Sequence, residues 1–311
     1  MKVHYNFENL QIKNPVLTTG SFDGIHVGHK FIINRLNEIA QDIDGESALV
    51  TFFPHPRQVL YPEMHVVMIN SQREKIEVMR NTGLDHLIII NFTLEFSKTS
   101  SIDFIRKYLV GKVGVKYVVI GYDHNFGHNK EGNFDYLYQL GQYYDFQVEE
   151  IVAQDVEHVS VSSTKIRRAL EEGDMRKVNT YLGHNYIVIG KVEQGSRFGR
   201  KIGFRTARIA ADEEVKLFPP AGVFAVLVEV EGKEYKGMVD ICPLEDYHNP
   251  QIPNKNRKLN VHIFNFDKEI YNEFVKISFI EKIRDRYNFI TINALKDQLK
   301  IDKQIALNIL K

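Results

Sequence analysis

Cysteine is almost missing: Cys242 is the only one in 311 residues. One thiol closes no intrachain disulfide and builds no cysteine-based metal site, so a reducing cytoplasm is the expected location. Excess charge of either sign is missing too. Forty Lys and Arg balance forty Asp and Glu, which disfavours nucleic acid as the main partner and leaves room only for a local basic cleft. No apolar run approaches the roughly 18 residues of a membrane helix, so no membrane partner is expected. The opening "MKVHYNFENLQIKN" has no apolar core of the signal-peptide kind. Internal repeats and low-complexity tracts are also absent. What is present, 43% hydrophobic and 26% charged residues, is the profile of a globular protein. At roughly 150 residues per domain the length suggests two domains.

The first half alternates short apolar runs with helical patterns. "PVLTT" (15–19), "ALVTFF" (48–53), "HLIIIN" (86–91), "YVVIG" (117–121) and "FQVEEIV" (146–152) read as buried parallel strands. His29–Gln41 spaces Phe31, Ile32, Leu36, Ile39 and Ala40 along one helical face. Ser71–Asn81 and Ser100–Lys112 each begin with a serine suited to capping a helix. Such alternation predicts a doubly wound, Rossmann-like α/β domain, with ligands beyond the carboxyl ends of the strands. After about Gly183 the pattern changes. "YIVIGKVEQG", "GVFAVLVEVEGKEYKGMVDI", "LNVHIFNF" and "VKISFIEKI" are strand-like, "VEGKE" reads as a hairpin turn, and few helices intervene. A small antiparallel β-barrel is expected, closed by a helix over about 292–310 that buries Leu295, Leu299, Ile305 and Ile309. The expected division is 1–183 and 184–311.

"TTGSFDGIHVGHK" (18–30) follows the first strand. Gly20 and Gly24 permit a tight turn, and Gly28 allows an anion close to the backbone at a helix start. His26 and His29 are three residues apart and share a face on a helical turn, so both could hydrogen-bond one phosphate. The residues alone leave a second reading open, in which one histidine caps the helix and the other sits on the surface. A metal site lacks a third ligand nearby. "TFFPHP" presents His55 in a loop fixed by two prolines. "GYDHNFGHNKEG" offers Asp123 and Asn125 to a ribose, a base edge or Mg²⁺ waters, or is a polar turn. "VSSTKIRRAL" puts Ser162, Ser163 and Thr164 at a helix start with Arg167 one turn in, either a second anion site or a capped helix with a solvated arginine.

Taken together these motifs resemble the bacterial bifunctional riboflavin kinase/FMN adenylyltransferases, the prokaryotic-type FAD synthetases, over nearly the whole chain. "GSFDGIHVGHK" looks like that family's GxFDGxHxGH, whose HxGH marks nucleotidylyltransferases. "TFFPHP", "GYDHNFGHNKEG" and "SSTKIR" follow in family order, with His124 where phenylalanine is usual. The resemblance implies that FMN and ATP are substrates, with Mg²⁺ carried by ATP, and that FAD and diphosphate are products. It assigns His26, His29 and Arg167 to catalysis on the triphosphate. Gly20, Ser21, Phe22, Asp23, Gly24, Gly28, Asp123, Asn125, Ser162, Ser163 and Thr164 fall to nucleotide binding, and His55 and Pro56 to the flavin side.

The second half resembles the riboflavin kinase barrel, with a kinase-like site at Gly199, Thr206, Arg208, Asn260 and Arg284. The departures are several. The family's PTAN segment reads "RTAR", with Arg205 for proline and Arg208 for asparagine. The family's glutamate before VH, the general base, is Asn260, and a carboxamide accepts no proton at neutral pH. The family's RxExxF reads "RDRYNF", with Arg286 for glutamate, and Asn272 replaces the glycine after Tyr271. The resulting expectation is an FMN adenylyltransferase whose kinase is weak or lost. A shifted register near 260 would let another carboxylate serve, with Glu245, Asp246 and Asp240 as candidates. The competing expectations are a fully bifunctional enzyme, a barrel that serves as a flavin-binding regulatory module, and a first domain acting on some other phosphate ester.

Overall fold

In the first half the strands are apolar on both faces, which suits them to a sheet covered on both sides. The computed structural model describes residues 1–121, 127, 132–151, 155–156, 159–194, 199, 202–211, 215–242 and 258–311. They form two compact units: Met1–Val66 with Lys75–Val161, and Val67–Glu74 with Ser162–Lys311.

The first unit is built on six strands: β1 (Lys2–His4), β2 (Val16–Thr19), β3 (Ser47–Phe53), β4 (His86–Asn91), β5 (Tyr117–Gly121) and β6 (Gln147–Ile151). They pair in parallel in the order β1-β4-β3-β2-β5-β6. The expected strands are therefore present, joined by the edge strand β1. Helix α1 (Val27–Asp42) follows β2 and begins two residues before the expected start. It buries Ile33, Leu36, Ile39 and Ala40. Phe31 was expected on that face and is instead 44% exposed; the buried stripe runs through Ile33, Leu36 and Ala40 and turns Phe31 away from the sheet. Ser100 caps a later helical segment through the Asp103 N–H. After Ser101–Asp103 that segment widens into a π-helix, Phe104–Val113. Its buried pairs Phe104/Leu109 and Leu109/Val113 are five and four apart, a spacing between the α and π repeats.

The second unit holds a closed six-stranded antiparallel barrel: β7 (Tyr186–Glu193), β8 (Ala207–Ala211), β9 (Gly222–Val230), β10 (Lys233–Cys242), β11 (Lys258–Ile263) and β12 (Phe274–Asp285). The strand β8 has no clear apolar alternation and escapes sequence reading. The hairpin at "VEGKE" is present: Glu231 and Gly232 both have positive φ (50° and 75°), as a two-residue hairpin turn requires. The C-terminal helix, Ile292–Ile309, packs Leu295, Leu299 and Ile309 near Val223, Ala225 and Met238. Ile305 was expected to be buried and is 37% exposed, while Ala306 and Leu310 are buried. Two helices precede the barrel in the same unit, α2 (Ser163–Glu172) and α3 (Met175–Leu182).

Candidate active sites and family membership

β2 lies between β3 and β5, so the strand order reverses there. In open α/β sheets ligands bind beyond the carboxyl ends of the strands at such a point. The segment that leaves β2 is strongly turned: Phe22, Gly24 and Ile25 have φ of 45°, 90° and 46°. For a β-branched residue this conformation costs on the order of 1–3 kcal/mol and persists only when the surroundings impose it. Ile25 is fully buried, which supplies that constraint.

The turn delivers His26 to the N-cap of α1. Its Nδ1 accepts from the His29 N–H at 3.4 Å. The capping reading of one histidine is thus correct, and it does not exclude the phosphate reading: Nδ1 is used locally and Nε2 is the ring's other polar atom. The two rings stack with centroids 3.6 Å apart and an 18° tilt. Phe22 lies against the His29 ring at 4.6 Å. A Cβ on Gly28 would come within 3.3 Å of the His26 ring, so the glycine leaves that imidazole its place. The first turn of α1 carries no acidic residue, which leaves its free N–H groups and dipole unopposed for an anion. Burial foremost, then the neighbouring His26 and Lys75, hold the His29 pKa well below that of an ordinary histidine. The ring is therefore neutral near pH 7, and its buried Nδ1 has no partner among the described residues.

Lys75 escapes sequence reading. It is 6% exposed, and its Nζ donates to the Ser21 carbonyl at 2.7 Å, close to Thr51 Oγ1 at 3.5 Å. Thr51 Oγ1 donates to the same carbonyl. In "REKIE" a lysine reads as one more solvated charge, and only the fold brings it under the Gly20–Gly24 turn. Asp23 in that turn is buried. His55 caps the helix Pro56–Leu60, its Nδ1 accepting from the Arg57 N–H at 3.1 Å. Asp123, His124 and Asn125 lie outside the described residues.

Ser162, Ser163, Thr164 and Arg167 belong to the second unit. Ser162 caps α2 through the Lys165 N–H at 3.4 Å, and Arg167 Nε reaches the Val67 carbonyl at 3.4 Å. In the barrel, a Cβ on Gly199 would overlap the Phe204 carbonyl, and the Phe204 N–H donates to Gly199 O at 2.9 Å. Only glycine fits that turn. Thr206 is exposed beside it. Arg205 Nη1 donates to the Asp267 carbonyl at 2.6 Å, and Nη2 lies 3.5 Å from Glu269. A pocket here is lined by Arg205, Thr206, Val261, Phe266, Lys268 and Tyr271. Asn272 has φ 67°, a conformation that explains a glycine at this place and that asparagine tolerates better than most residues.

Arg208 stands opposite Asn260, and Asn260 opposite Asp240, on adjacent strands. Asn260 Nδ2 donates to Cys242 Sγ at 3.1 Å, and the thiol donates to Asp240 Oδ2 at 3.2 Å. Burial and the Asp240 carboxylate push the Cys242 pKa up to about 11, so the sulfur keeps its proton. Arg286 Nε lies 3.4 Å from Asp240 Oδ1. Arg284 is committed to Asp302 of the C-terminal helix, with Nη2 to Oδ2 at 2.7 Å and Nε to Oδ1 at 2.9 Å. Glu245 and Asp246 lie outside the described residues. Among the described residues no cluster of three or more His, Cys, Asp or Glu could hold a metal. No described helix is long and apolar enough to cross a membrane.

Known proteins resemble both halves of this chain. The sequence matches the FAD synthetase family over residues 9–165 and the riboflavin kinase family over 182–310. It is 34% identical to a bifunctional riboflavin kinase/FMN adenylyltransferase of Listeria monocytogenes, over 94% of this chain and 91% of that protein. With the protein of the same name from Bacillus subtilis it shares 32% identity over 98% of this chain and 95% of that one. A crystal structure described as a macrolide-efflux protein from Streptococcus pneumoniae superposes with a TM-score of 0.86 at 26% identity, covering 99% of this chain and 98% of that one. The chain belongs to the bifunctional riboflavin kinase/FMN adenylyltransferase family, with an FAD synthetase domain ahead of a riboflavin kinase domain.

Proposed function

We propose that the first half makes FAD by transferring the adenylyl group of ATP to FMN. A phosphate oxygen of FMN attacks the α-phosphorus in line, the bond to the bridging oxygen breaks, and diphosphate leaves with the Mg²⁺ that ATP brought. No covalent enzyme intermediate is needed, so positioning and charge stabilisation carry the rate. The observation that supports this reading best is the stacked His26–His29 pair at an acid-free helix start, at the reversal point of the sheet. The two imidazoles donate N–H bonds to the α-phosphate, and the first amides of α1 add to them. Gly20, Ser21, Phe22, Asp23 and Gly24 form the wall of the nucleotide site. On the strength of the resemblance, Asp123, Asn125, Ser162, Ser163, Thr164 and Arg167 are also assigned to nucleotide, and His55 and Pro56 to the flavin phosphate. The boundary of this half, 183/184, and a cytoplasmic location are part of the proposal.

For the barrel, the names of the relatives support riboflavin phosphorylation, and thus a bifunctional enzyme. The barrel's own residues support a weak form of it. Asn260 cannot take a proton, and Arg208 puts a fixed cation where the resemblance expects a metal ligand.

Paired assays of the two half-reactions test both statements. FMN with MgATP should give FAD, and changing His26 and His29 together to alanine should lower that rate by at least about 10²-fold. Riboflavin with MgATP should give FMN slowly. FAD formation at the parental rate in the double variant refutes the histidine role, and rapid FMN formation refutes the weak kinase.

A further inference from the structure

The cross-strand row Arg208–Asn260–Asp240 places a carboxylate directly beside the carboxamide that the kinase-like site carries. We propose that Asp240 is the general base of riboflavin phosphorylation in this chain, a reading that rests on the barrel's being a riboflavin kinase. Three observations support it.

The first is register. Asp240 on β10 is the direct partner of Asn260 on β11. Directly opposed residues of an antiparallel pair project to the same face, with Cβ atoms about 5 Å apart. Their flanking neighbours Val239, Ile241, Leu259 and Val261 are buried, whereas Asp240 and Asn260 are both half-buried. A carboxylate moved from position 260 to 240 thus stays on the same face, one strand spacing away.

The second is the way the group is held. Its Oδ2 accepts from the Cys242 thiol, whose sulfur accepts from Asn260. Asn260 has therefore become part of the support for Asp240. Oδ1 has a charge partner in Arg286, and the side chain remains 34% exposed. Each carboxylate oxygen has two acceptor sites, so capacity remains for a substrate hydroxyl.

The third is that the substitutions fit one another. Where the resemblance expects glutamate at 286, an arginine faces Asp240, and Arg208 stands at the other end of the row. With strands about 4.8 Å apart, Arg208 and Asp240 are separated by about 10 Å at the backbone. The row thus carries a guanidinium at one end and a carboxylate at the other, with Asn260 between them.

In the step, Asp240 takes the proton of the ribityl 5′-hydroxyl as its oxygen attacks the γ-phosphorus of ATP. The bond from that phosphorus to the β–γ bridging oxygen breaks, ADP leaves with Mg²⁺, and the proton on Asp240 passes to water.

The test uses the full chain and both half-reactions. Asp240→Asn should lower FMN formation from riboflavin by about 10²–10⁴-fold and leave FAD formation from FMN unchanged. Combining Asp240→Asn with Asn260→Glu should restore FMN formation by at least about tenfold over Asp240→Asn alone, which a merely structural Asp240 would not allow. FMN formation at the parental rate in Asp240→Asn overturns the proposal, as does a double variant no faster than the single one. If the parent makes FAD and no FMN at all, the Asp240 role falls and FAD synthesis stands. If it makes neither product, the reading of the whole chain falls with it.

Discussion

His29 shows how one residue records its surroundings. Its ring is pressed between His26 and Phe22, and burial is the largest cause of its lowered pKa. The unfolded chain binds a proton on this ring near pH 6.5, and the folded protein does so only at lower pH. Stability therefore falls as pH drops through 6.5 toward the folded value, by at most about 1.4 kcal/mol per pH unit from this group. His4, lowered by burial and His86, acts in the same direction, so the comparison that isolates His29 is a His29→Gln variant. Its urea-unfolding free energy should depend less steeply on pH between 7.5 and 5.5 than that of the parent. Lys75→Met should reduce the same slope, because removing its charge lets the His29 pKa rise. An unchanged slope in both variants would contradict the assignment.

Among the elements, the C-terminal helix has a buried polar attachment. Its apolar face alone reads as an ordinary amphipathic pattern, but Asp302 on it is completely buried and receives Arg284 and Gln298. Removing one partner of a buried ion pair strands the other, at a cost of about 3–5 kcal/mol. Asp302→Ala should destabilise the protein by about that amount in chemical denaturation, whereas changing the exposed Asp297, paired with Lys300 at the surface, should cost under about 1 kcal/mol. The π-helix Phe104–Val113 is an element that sequence reading predicts only as a helix. Its wider turn depends on which side chains the sheet accepts.

At the scale of the whole molecule, the second unit includes a piece of the first half of the sequence. Val67–Glu74 is part of the barrel unit, and Glu74 meets Lys216 there, 142 residues away, at 2.6 Å. Both are buried, Lys216 also donates to the Ile69 and Ile187 carbonyls, and the Tyr186 ring lies 4.1 Å from its Nζ. Glu74 further accepts from the Ile189 N–H. Lys216→Met should cost about 3–5 kcal/mol, because it leaves a buried carboxylate uncompensated. Pairing it with Glu74→Leu should recover part of that loss. Denaturant unfolding of the full-length variants measures both, and strict additivity would show that the two residues do not act as a pair.

The sequence by itself determined the alternation of strands and helices, the antiparallel second half, and the HxGH turn after β2. Each of these rests on residues near one another in the chain, where spacing of 2 or 3.6 and glycine placement carry the information. Phe31 and Ile305 mark the limit of that reading, since helical spacing gives a face and packing chooses its exact phase. Only the tertiary structure decided that Lys75 lies under the nucleotide-type turn, that Glu74 and Lys216 share a buried site, and that Asp240 is the carboxylate opposite Asn260. These are relations between distant segments, and charged residues in a sequence look alike until strand register and burial set their partners.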